Sequence, residues 1–159
     1  PIVMVEIGIG SINPNIPSNM PHSGYKPGAS LRAWRDYFSN GLIYGCDIDR
    51  DSLFTEDRIK TFFFDQTNPP YVLPNISYNS CDIIVDDGLH NFHYNWEVFK
   101  GLYPYLKTGG YYVIEDVDKT HFLGTDPFTQ ARKFHWEILG LYNPHNRVDN
   151  TLVIIQKLD

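Results

Sequence analysis

The sequence has few basic residues, few cysteines and no long hydrophobic run. Thirteen lysine and arginine residues stand against 19 aspartate and glutamate residues, which gives a net charge of -6. No stretch gathers the basic residues into a stripe that could neutralise a phosphate backbone, so nucleic acid is not a predicted partner. Cys46 and Cys81 are the only cysteines, too few for a disulfide framework or a cysteine-rich zinc site.

No apolar stretch reaches the roughly 20 residues that a membrane helix needs. The start of the chain also lacks the basic and then apolar segments of a signal peptide. Together with the few cysteines, these absences predict a cytoplasmic protein with no membrane partner.

The composition is that of a folded chain, with 42% hydrophobic and 20% charged residues in a length of 159. This length predicts one domain, residues 1–159. The first residue is Pro1, and an apolar run follows it at once. Either an initiator methionine was removed, or the domain was cut from a longer polypeptide.

Five short apolar runs each end in acidic residues followed by a turn. They cover residues 2–7, 42–46, 61–64, 82–85 and 111–114. Short continuous apolar runs are typical of strands buried on both faces, as in parallel sheets. A last strand is predicted at Thr151–Lys157, with a short partner strand within residues 143–150.

Apolar residues with helical spacing lie between these runs and predict three helices. The first helix ends near Gly41, Gly109 and Gly110 end the second, and the third follows Pro127. Their apolar stripes are Leu31, Trp34 and Phe38; Phe92, Trp96, Phe99, Tyr103 and Leu106; and Ala131, Phe134, Ile138 and Leu141.

Alternation of strands and helices predicts the α/β class, with a Rossmann-like, doubly wound and mostly parallel sheet. Ligands bind at the carboxyl edge of such a sheet, so the acidic strand ends should line one rim. A long irregular segment, residues 11–27, follows the first strand and is predicted to form a lid over this rim.

The segment from Glu6 to Gly10 is the first candidate ligand site. Gly8 and Gly10 would let the backbone approach a ligand closely, and the missing third glycine favours a nucleoside without a pyrophosphate. An ordinary glycine-containing strand end is the alternative. Asp47 could accept both hydroxyls of a ribose, or cap the helix that follows. Asp65, with Gln66, could reach an adenine edge or form a turn.

Acidic residues cluster after the fourth and fifth runs, as Asp86 and Asp87 and as Glu115 and Asp116. Adjacent strand ends can converge on one ion, and an all-oxygen site suits magnesium, calcium or manganese. Four acids without a cation would repel one another, although Asp86 could serve only the fold. His90 is a candidate general base, and a surface or helix-capping histidine is the alternative.

These segments resemble class I S-adenosylmethionine-dependent methyltransferases, through residues 6–10, 27–34 and 43–49. Residues 84–90 and 106–116 make the chain similar to the metal-dependent sugar O-methyltransferases of macrolide and tetracenomycin biosynthesis, which methylate hydroxyls of rhamnose-like and other deoxysugars. The likeness extends from Ile2 to Lys157. Leu89 departs from the small residue, such as serine, that this family usually has there.

The resemblance implies a role for each candidate residue. S-Adenosylmethionine would be held by Glu6, Gly8, Gly10, Ser30, Asp47 and Asp65. Mg²⁺, or Mn²⁺, would be held by Asp87, Glu115 and Asp116. His90 would be the catalytic base, with Asp87 beside it.

The implied activity is methyl transfer to a hydroxyl of a sugar or glycoside substrate. Relatives carry segments before the first strand that help to close the pocket, so neighbouring domains of a longer chain or a homo-oligomer are expected partners. The main alternative is a catalytically silent binding or scaffold domain. A metal-dependent hydrolase that uses the same carboxylates with a bound water is a third possibility.

Overall fold

The computed structural model describes residues 1–18, 20–21, 24–117, 134–141 and 150–159. Two helices in these ranges are α1 (Ala29–Tyr37) and α2 (Phe92–Leu102), and neither is long and apolar enough to cross a membrane. The strands are β1 (Val3–Ile7), β2 (Leu42–Asp47), β3 (Thr55–Glu56), β4 (Ile59–Phe63), β5 (Cys81–Asp86), β6 (Leu106–Ile114), β7 (Phe134–Gly140) and β8 (Thr151–Lys157).

All of these strands belong to one sheet, in the order β3-β4-β2-β1-β5-β6-β8-β7. The central strands β4, β2, β1, β5 and β6 run parallel, while β3, β8 and β7 pair antiparallel to their neighbours. Starting from β1, the chain adds β2 and β4 on one side and then β5 and β6 on the other. The switch point is between β1 and β5, and doubly wound sheets bind ligands at such a point. The predicted fold class is confirmed.

Apolar side chains alternate between the two faces of the sheet. Met4 and Val85 pack with Leu31 of α1 on one face. Their chain neighbours Val5 and Ile84 pack with α2 on the other. Since successive residues of a strand point to opposite faces, each helix covers one side of the sheet. The predicted stripes of both helices face the core.

The second helix ends earlier than the sequence predicted. α2 stops at Leu102, a 3₁₀ turn over Tyr103–Tyr105 follows, and Leu106 begins β6. Pro104 lies in that turn, and a proline there opposes the continuation of an α-helix. Gly109 lies inside β6 with φ 80°, next to an irregular register with β5, so it does not end a helix.

The predicted third helix is wrong over the part that the structure describes. Residues 134–140 form β7, which pairs antiparallel with β8. The physical reason is visible in the sequence, where aromatic and apolar residues alternate with His135 and Glu137 in the two-residue period of a strand. Ala131 lies outside the described residues, as does most of the expected partner strand within 143–150; β7 pairs with β8.

Candidate active site

Gly8 and Gly10 form a tight backbone corner after β1, with φ of 85° and 79°. A Cβ on Gly8 would overlap the carbonyl oxygen of Asp87, and one on Gly10 would lie 2.5 Å from the Tyr25 hydroxyl oxygen. The Gly8 amide donates to the Cys46 carbonyl at 2.8 Å. Glycine is therefore needed at both positions, because of the positive φ and the close packing.

Asp47 ends β2 and supports the same corner. It is 8% exposed, and its Oδ2 and Oδ1 accept the backbone amides of Ile9 and Asp49 at 2.9 and 2.8 Å. Asp49, rather than Asp47, caps the short 3₁₀ turn over Arg50–Ser52, because its side chain accepts the Asp51 amide. Asp47 thus has a local role beside its position on the rim, and the second lone pair of each oxygen is still available.

Asp65 and Gln66 follow β4 and differ in placement. Asp65 Oδ1 accepts the amide and the hydroxyl of Thr67 at 2.9 and 2.7 Å, which is the turn geometry considered as its alternative role. Gln66 is buried and hydrogen-bonds to Asp86 and Leu89. Gln66 and Thr67, but not Asp65, line the cavity described next.

A cavity of about 420 Å³ lies over the switch point between β1 and β5. We call it the glycine-lined cavity. One wall comes from the irregular segment after β1, in the position predicted for a lid. The lining residues are Ile7, Gly8, Gly10, Ser11, Ile16, Pro17, Ser18, Met20, Asp47, Ile48, Phe64, Gln66, Thr67, Asp87, Gly88, Leu89, His90 and Asp116.

Asp87, His90 and Asp116 meet at one end of this cavity, and we call them the acid–histidine cluster. Each of the three offers one possible metal-ligand atom, and these atoms lie within 4.8 Å of one another. His90 Nε2 is 3.1 Å from Asp87 Oδ1. His90 and Asp116 have φ of 51° and 50°. Such backbone strain in non-glycine residues is concentrated at functional sites.

The hydrogen bond to Asp87 is the main cause that raises the pKa of His90, and the charges of Asp87 and Asp116 act in the same direction. His90 precedes α2, which begins at Phe92 with Asn91 as its N-cap. The loop, rather than the helix, therefore brings His90 to Asp87.

Glu6, Ser30 and Glu115 lie on the other side of Asp87. With Trp34 and Asp87 they line a second cavity of about 380 Å³ on the α1 side of the sheet, the glutamate-lined cavity. Glu6 accepts hydrogen bonds from the Ser30 hydroxyl and, at 2.8 Å, from Trp34 Nε1. Glu115 is thus outside the acid–histidine cluster and beside Glu6, although Asp87 borders both cavities.

The two glutamates bind protons unusually tightly. Burial, and then the charges of Asp87 and Glu115, raise the pKa of Glu6 to about 7, against the hydrogen bonds from Ser30 and Trp34. Burial and the charges of Asp87 and Asp116 raise the pKa of Glu115 to about 7. The repulsion expected among these acids is therefore present.

Asp86 has the role in the fold that was considered for it. It is fully buried, and its carboxylate accepts hydrogen bonds from Gln66, Asn95 and Tyr112 at 2.7, 3.0 and 3.4 Å. Burial raises its pKa to about 6, against the hydrogen bonds. It lies on the α2 side of the sheet and is not one of the three residues of the acid–histidine cluster.

Sequence reasoning missed the polar partners of these acids. Asn95 lies on the apolar face of α2 between Phe92 and Phe99, and a polar residue in a buried helical position was a usable signal. Ser11 donates to Asp49 and fixes the start of the irregular segment. That contact spans 38 residues and has no local signal in the sequence.

The acid–histidine cluster fits a divalent cation by its donor set and spacing. Two carboxylates and an imidazole suit Mn²⁺, and carboxylates with water suit Mg²⁺. Ligands about 2.1 Å from an octahedral ion stand roughly 3 to 4.2 Å apart, so the atoms within 4.8 Å need only small shifts. Glu115 is the neighbouring carboxylate that could join them.

The chain has curated relatives that are O-methyltransferases. It is 37% identical over 140 residues to demethylmacrocin O-methyltransferase of Streptomyces fradiae and 38% identical over 145 residues to mycinamicin VI 2''-O-methyltransferase of Micromonospora griseorubida. Each match covers 87% of this chain and 33% of the relative. The chain thus spans about one third of the length of these relatives. No protein-family model matches it.

Solved structures agree with this comparison. The MycE methyltransferase from the mycinamycin biosynthetic pathway, in complex with Mg and SAH, matches 99% of this chain and 45% of its own, with a TM-score of 0.59 and 26% identity. An rRNA methylase from Streptococcus thermophilus, with a TM-score of 0.60 and 15% identity, shares the fold alone.

The sheet order and these structures define the fold as that of class I S-adenosylmethionine-dependent methyltransferases. Within that class, the curated relatives are sugar O-methyltransferases of macrolide and tetracenomycin pathways. The resemblance stated from the sequence motifs is confirmed.

Proposed function

We propose that this chain is the cofactor- and metal-binding part of an S-adenosylmethionine-dependent O-methyltransferase that modifies a hydroxyl of a sugar or glycoside, with a rhamnose-like deoxysugar favoured. The acid–histidine cluster at the end of the glycine-lined cavity is the observation that supports this most strongly. In this proposal the cluster holds a divalent cation and supplies a candidate base next to space for a nucleoside. The names of the curated relatives support the sugar acceptor.

In this proposal the glycine-lined cavity holds the nucleoside of S-adenosylmethionine. Gly8 and Gly10 let the backbone approach it, and Asp47 accepts the ribose hydroxyls. Glu6 and Ser30 lie on the α1 side, where the glutamate-lined cavity could receive another part of the cofactor. The acidic rim favours a cationic cofactor over a neutral one.

Asp87 and Asp116 would hold Mg²⁺ or Mn²⁺, with Glu115 as a further ligand. When bound, such a cation supplies Lewis-acid chemistry that makes an acceptor hydroxyl more acidic and fixes its orientation. His90 would take the proton from that hydroxyl at Nδ1, because Nε2 lies 3.1 Å from Asp87 Oδ1 and carries the hydrogen that this hydrogen bond needs. Asp87 thereby orients the imidazole and stabilises its protonated form.

The cofactor is tested by isothermal titration calorimetry with S-adenosylhomocysteine. Asp47→Asn should weaken binding roughly tenfold or more, because a charged hydrogen bond to the ligand is lost. Asp51→Asn is the matched control, since Asp51 is exposed and lies four residues further along. No binding by the wild-type chain at millimolar ligand would refute this part of the proposal.

The metal and the base are tested separately. Asp87→Asn should weaken Mn²⁺ binding, followed by electron paramagnetic resonance, by at least about tenfold. His90→Ala should abolish transfer of labelled methyl to a rhamnoside and leave S-adenosylhomocysteine affinity nearly unchanged, while the exposed His93→Ala retains activity. Full activity in excess EDTA would refute the role of the metal. Cofactor binding without methyl transfer would favour the silent binding domain.

A further inference from the structure

The side chain of Gln66 joins two loops that are not neighbours on the sheet edge. β2 and β1 lie between β4, which Gln66 follows, and β5. Gln66 Nε2 donates to Asp86 Oδ1 at 2.7 Å, and Oε1 accepts the backbone amide of Leu89 at 2.7 Å. One carboxamide therefore connects the last residue of β5 to the loop that follows this strand.

The Asp86 end of this connection is held from three directions. Besides the hydrogen bond from Gln66, the Asp86 carboxylate accepts hydrogen bonds from Asn95 of α2 at 3.0 Å and from Tyr112 of β6 at 3.4 Å. Asp86, Asn95 and Gln66 are 0%, 4% and 8% exposed. A buried network with satisfied partners is rigid, because breaking any bond leaves a polar group unpaired in a dry environment.

The Leu89 end lies in the loop that contains the acid–histidine cluster. Asp87 and His90 flank Gly88 and Leu89, and the φ of 51° at His90 is a strained conformation that persists only where its surroundings enforce it. A Cβ on Gly88 would overlap Gln66 Oε1. Gln66 thus contacts the loop through both a hydrogen bond and steric packing.

We propose that Gln66 is a positioning residue, which holds the loop of residues 87–90 in the conformation that brings Asp87 and His90 to Asp116. Its importance for methyl transfer rests on the proposed function, but the contact can be tested without activity. Without the carboxamide, Leu89 loses its acceptor. The strained loop then relaxes, and the ligand atoms of the cluster are together in fewer molecules.

The direct test is amide hydrogen exchange, followed by NMR on the complete chain and on Gln66→Met and Gln66→Asn. Gln156→Met is the matched control, because the Gln156 side chain makes a solvent-exposed contact of 3.4 Å to the Gly109 carbonyl, far from Leu89 in the sequence. In both Gln66 variants the Leu89 amide should exchange about tenfold faster relative to the core amides of Val5 and Ile84. The ratio corrects for any loss of global stability.

Two further measurements separate positioning from a cofactor contact, since Gln66 also lines the glycine-lined cavity. Mn²⁺ affinity should fall about tenfold. S-adenosylhomocysteine affinity should change by less than about threefold, and kcat should fall while KM for the cofactor is retained.

Unchanged relative exchange of Leu89 in both Gln66 variants would overturn the proposal. It would also be overturned if only S-adenosylhomocysteine affinity fell, because Gln66 would then be a cofactor contact. If the wild-type chain neither binds this ligand nor transfers methyl, the proposed function fails, and the Leu89 exchange ratio still decides whether Gln66 holds the loop.

Discussion

Gly8 lies where the backbone after the first strand passes close to the backbone of Asp87 and Gly88. Gly8→Ala has two costs, because its φ of 85° disfavours a side chain and its Cβ would overlap the Asp87 carbonyl oxygen. We expect a loss in free energy of unfolding of roughly 2–4 kcal/mol, from left-handed strain of about 1–2 kcal/mol and overpacking of a similar size. Urea denaturation measures it.

Gly24 provides the control for this prediction. Its φ of 82° is similar, but a Cβ there meets no atom of the described residues within 4 Å. Gly24→Ala should therefore show only the strain, about 1–2 kcal/mol. Equal destabilisation by the two substitutions would contradict the proposed steric contact with Asp87. S-adenosylhomocysteine binding should weaken only in the Gly8 variant.

The face of the sheet to which a residue at the rim points could be predicted from the alternation of side chains along its strand. Two consecutive acidic residues at the end of a strand point to opposite faces of the sheet, so Asp86 and Asp87 cannot share one site. Asp86 duly contacts Asn95 of α2, whereas Asp87 reaches His90 and borders Glu6. The partners on other elements, such as Gln66 and Trp34, depend on tertiary distances that spacing does not encode.

Elements were predicted well where the hydrophobic period was unambiguous and poorly where another signal competed with it. Short apolar runs located the central parallel strands, because strands buried on both faces need no alternation. Pro104 ended α2 before Leu106 continued the same apolar period. At β7, residues spaced by three or four happened also to fit a two-residue period, and pairing with β8 decided the outcome.

Lys157 connects β8 to the start of β6. It is 7% exposed, and its Nζ donates to the Leu106 carbonyl at 2.7 Å and to Asn79 Oδ1 at 2.9 Å. Lys157→Met keeps the apolar stem but leaves both acceptors without this donor, which should cost roughly 1–3 kcal/mol in urea denaturation. Lys100→Met, on the exposed face of α2, should change stability by less than about 0.5 kcal/mol. Similar effects at the two sites would contradict the structural role of Lys157.

Glu56 connects β3 to α1. It accepts hydrogen bonds from Arg32 Nη2 at 2.8 Å and Lys26 Nζ at 3.1 Å, and these bonds lower its pKa from 4.5 to about 2. A lowered carboxyl pKa stabilises the fold above pH 4.5, and this contribution is lost as pH falls towards 2. Glu56→Gln should therefore have a lower melting temperature than the wild type at pH 7.

The difference between Glu56→Gln and the wild type should close as pH falls below 4.5, in melting curves followed by circular dichroism. Asp57→Asn is the matched control, since the Asp57 side chain is 90% exposed, and it should melt like the wild type throughout. A difference in melting temperature that stays constant down to pH 2 would show that the cationic partners of Glu56 do not act through its charge.

The whole sheet gathers acidic groups at one edge, and this arrangement opposes folding. Parallel strands β1, β5 and β6 deliver Glu6, Asp87 and Glu115 to neighbouring positions around the glutamate-lined cavity. Since carboxylates so close repel one another, a ligand of positive charge would relieve a cost that the fold otherwise bears. The proposed cation and sulfonium would both carry the positive charge that relieves this repulsion.

This opposition predicts how the stability of the molecule depends on pH. Glu6 and Glu115 have pKa values raised from 4.5 to about 7, so the folded chain binds more protons than the unfolded chain between these values. In EDTA, the free energy of unfolding should therefore fall as pH rises from about 4.5 to above 7, with Glu6 contributing at most about 3 kcal/mol. Urea denaturation at several pH values measures this slope.

The double variant Glu6→Gln/Glu115→Gln should have a shallower slope than the wild type, because two of the shifted groups are gone. Mg²⁺ should stabilise the wild type more at pH 8 than at pH 5, since its ligands must be ionised before they bind. Asp86 is fully buried and hydrogen-bonded on the α2 side of the sheet, so the fall associated with its pKa of about 6 should persist in Mg²⁺. Identical slopes in the wild type and the double variant would mean that repulsion and burial at this rim do not control the stability of the fold.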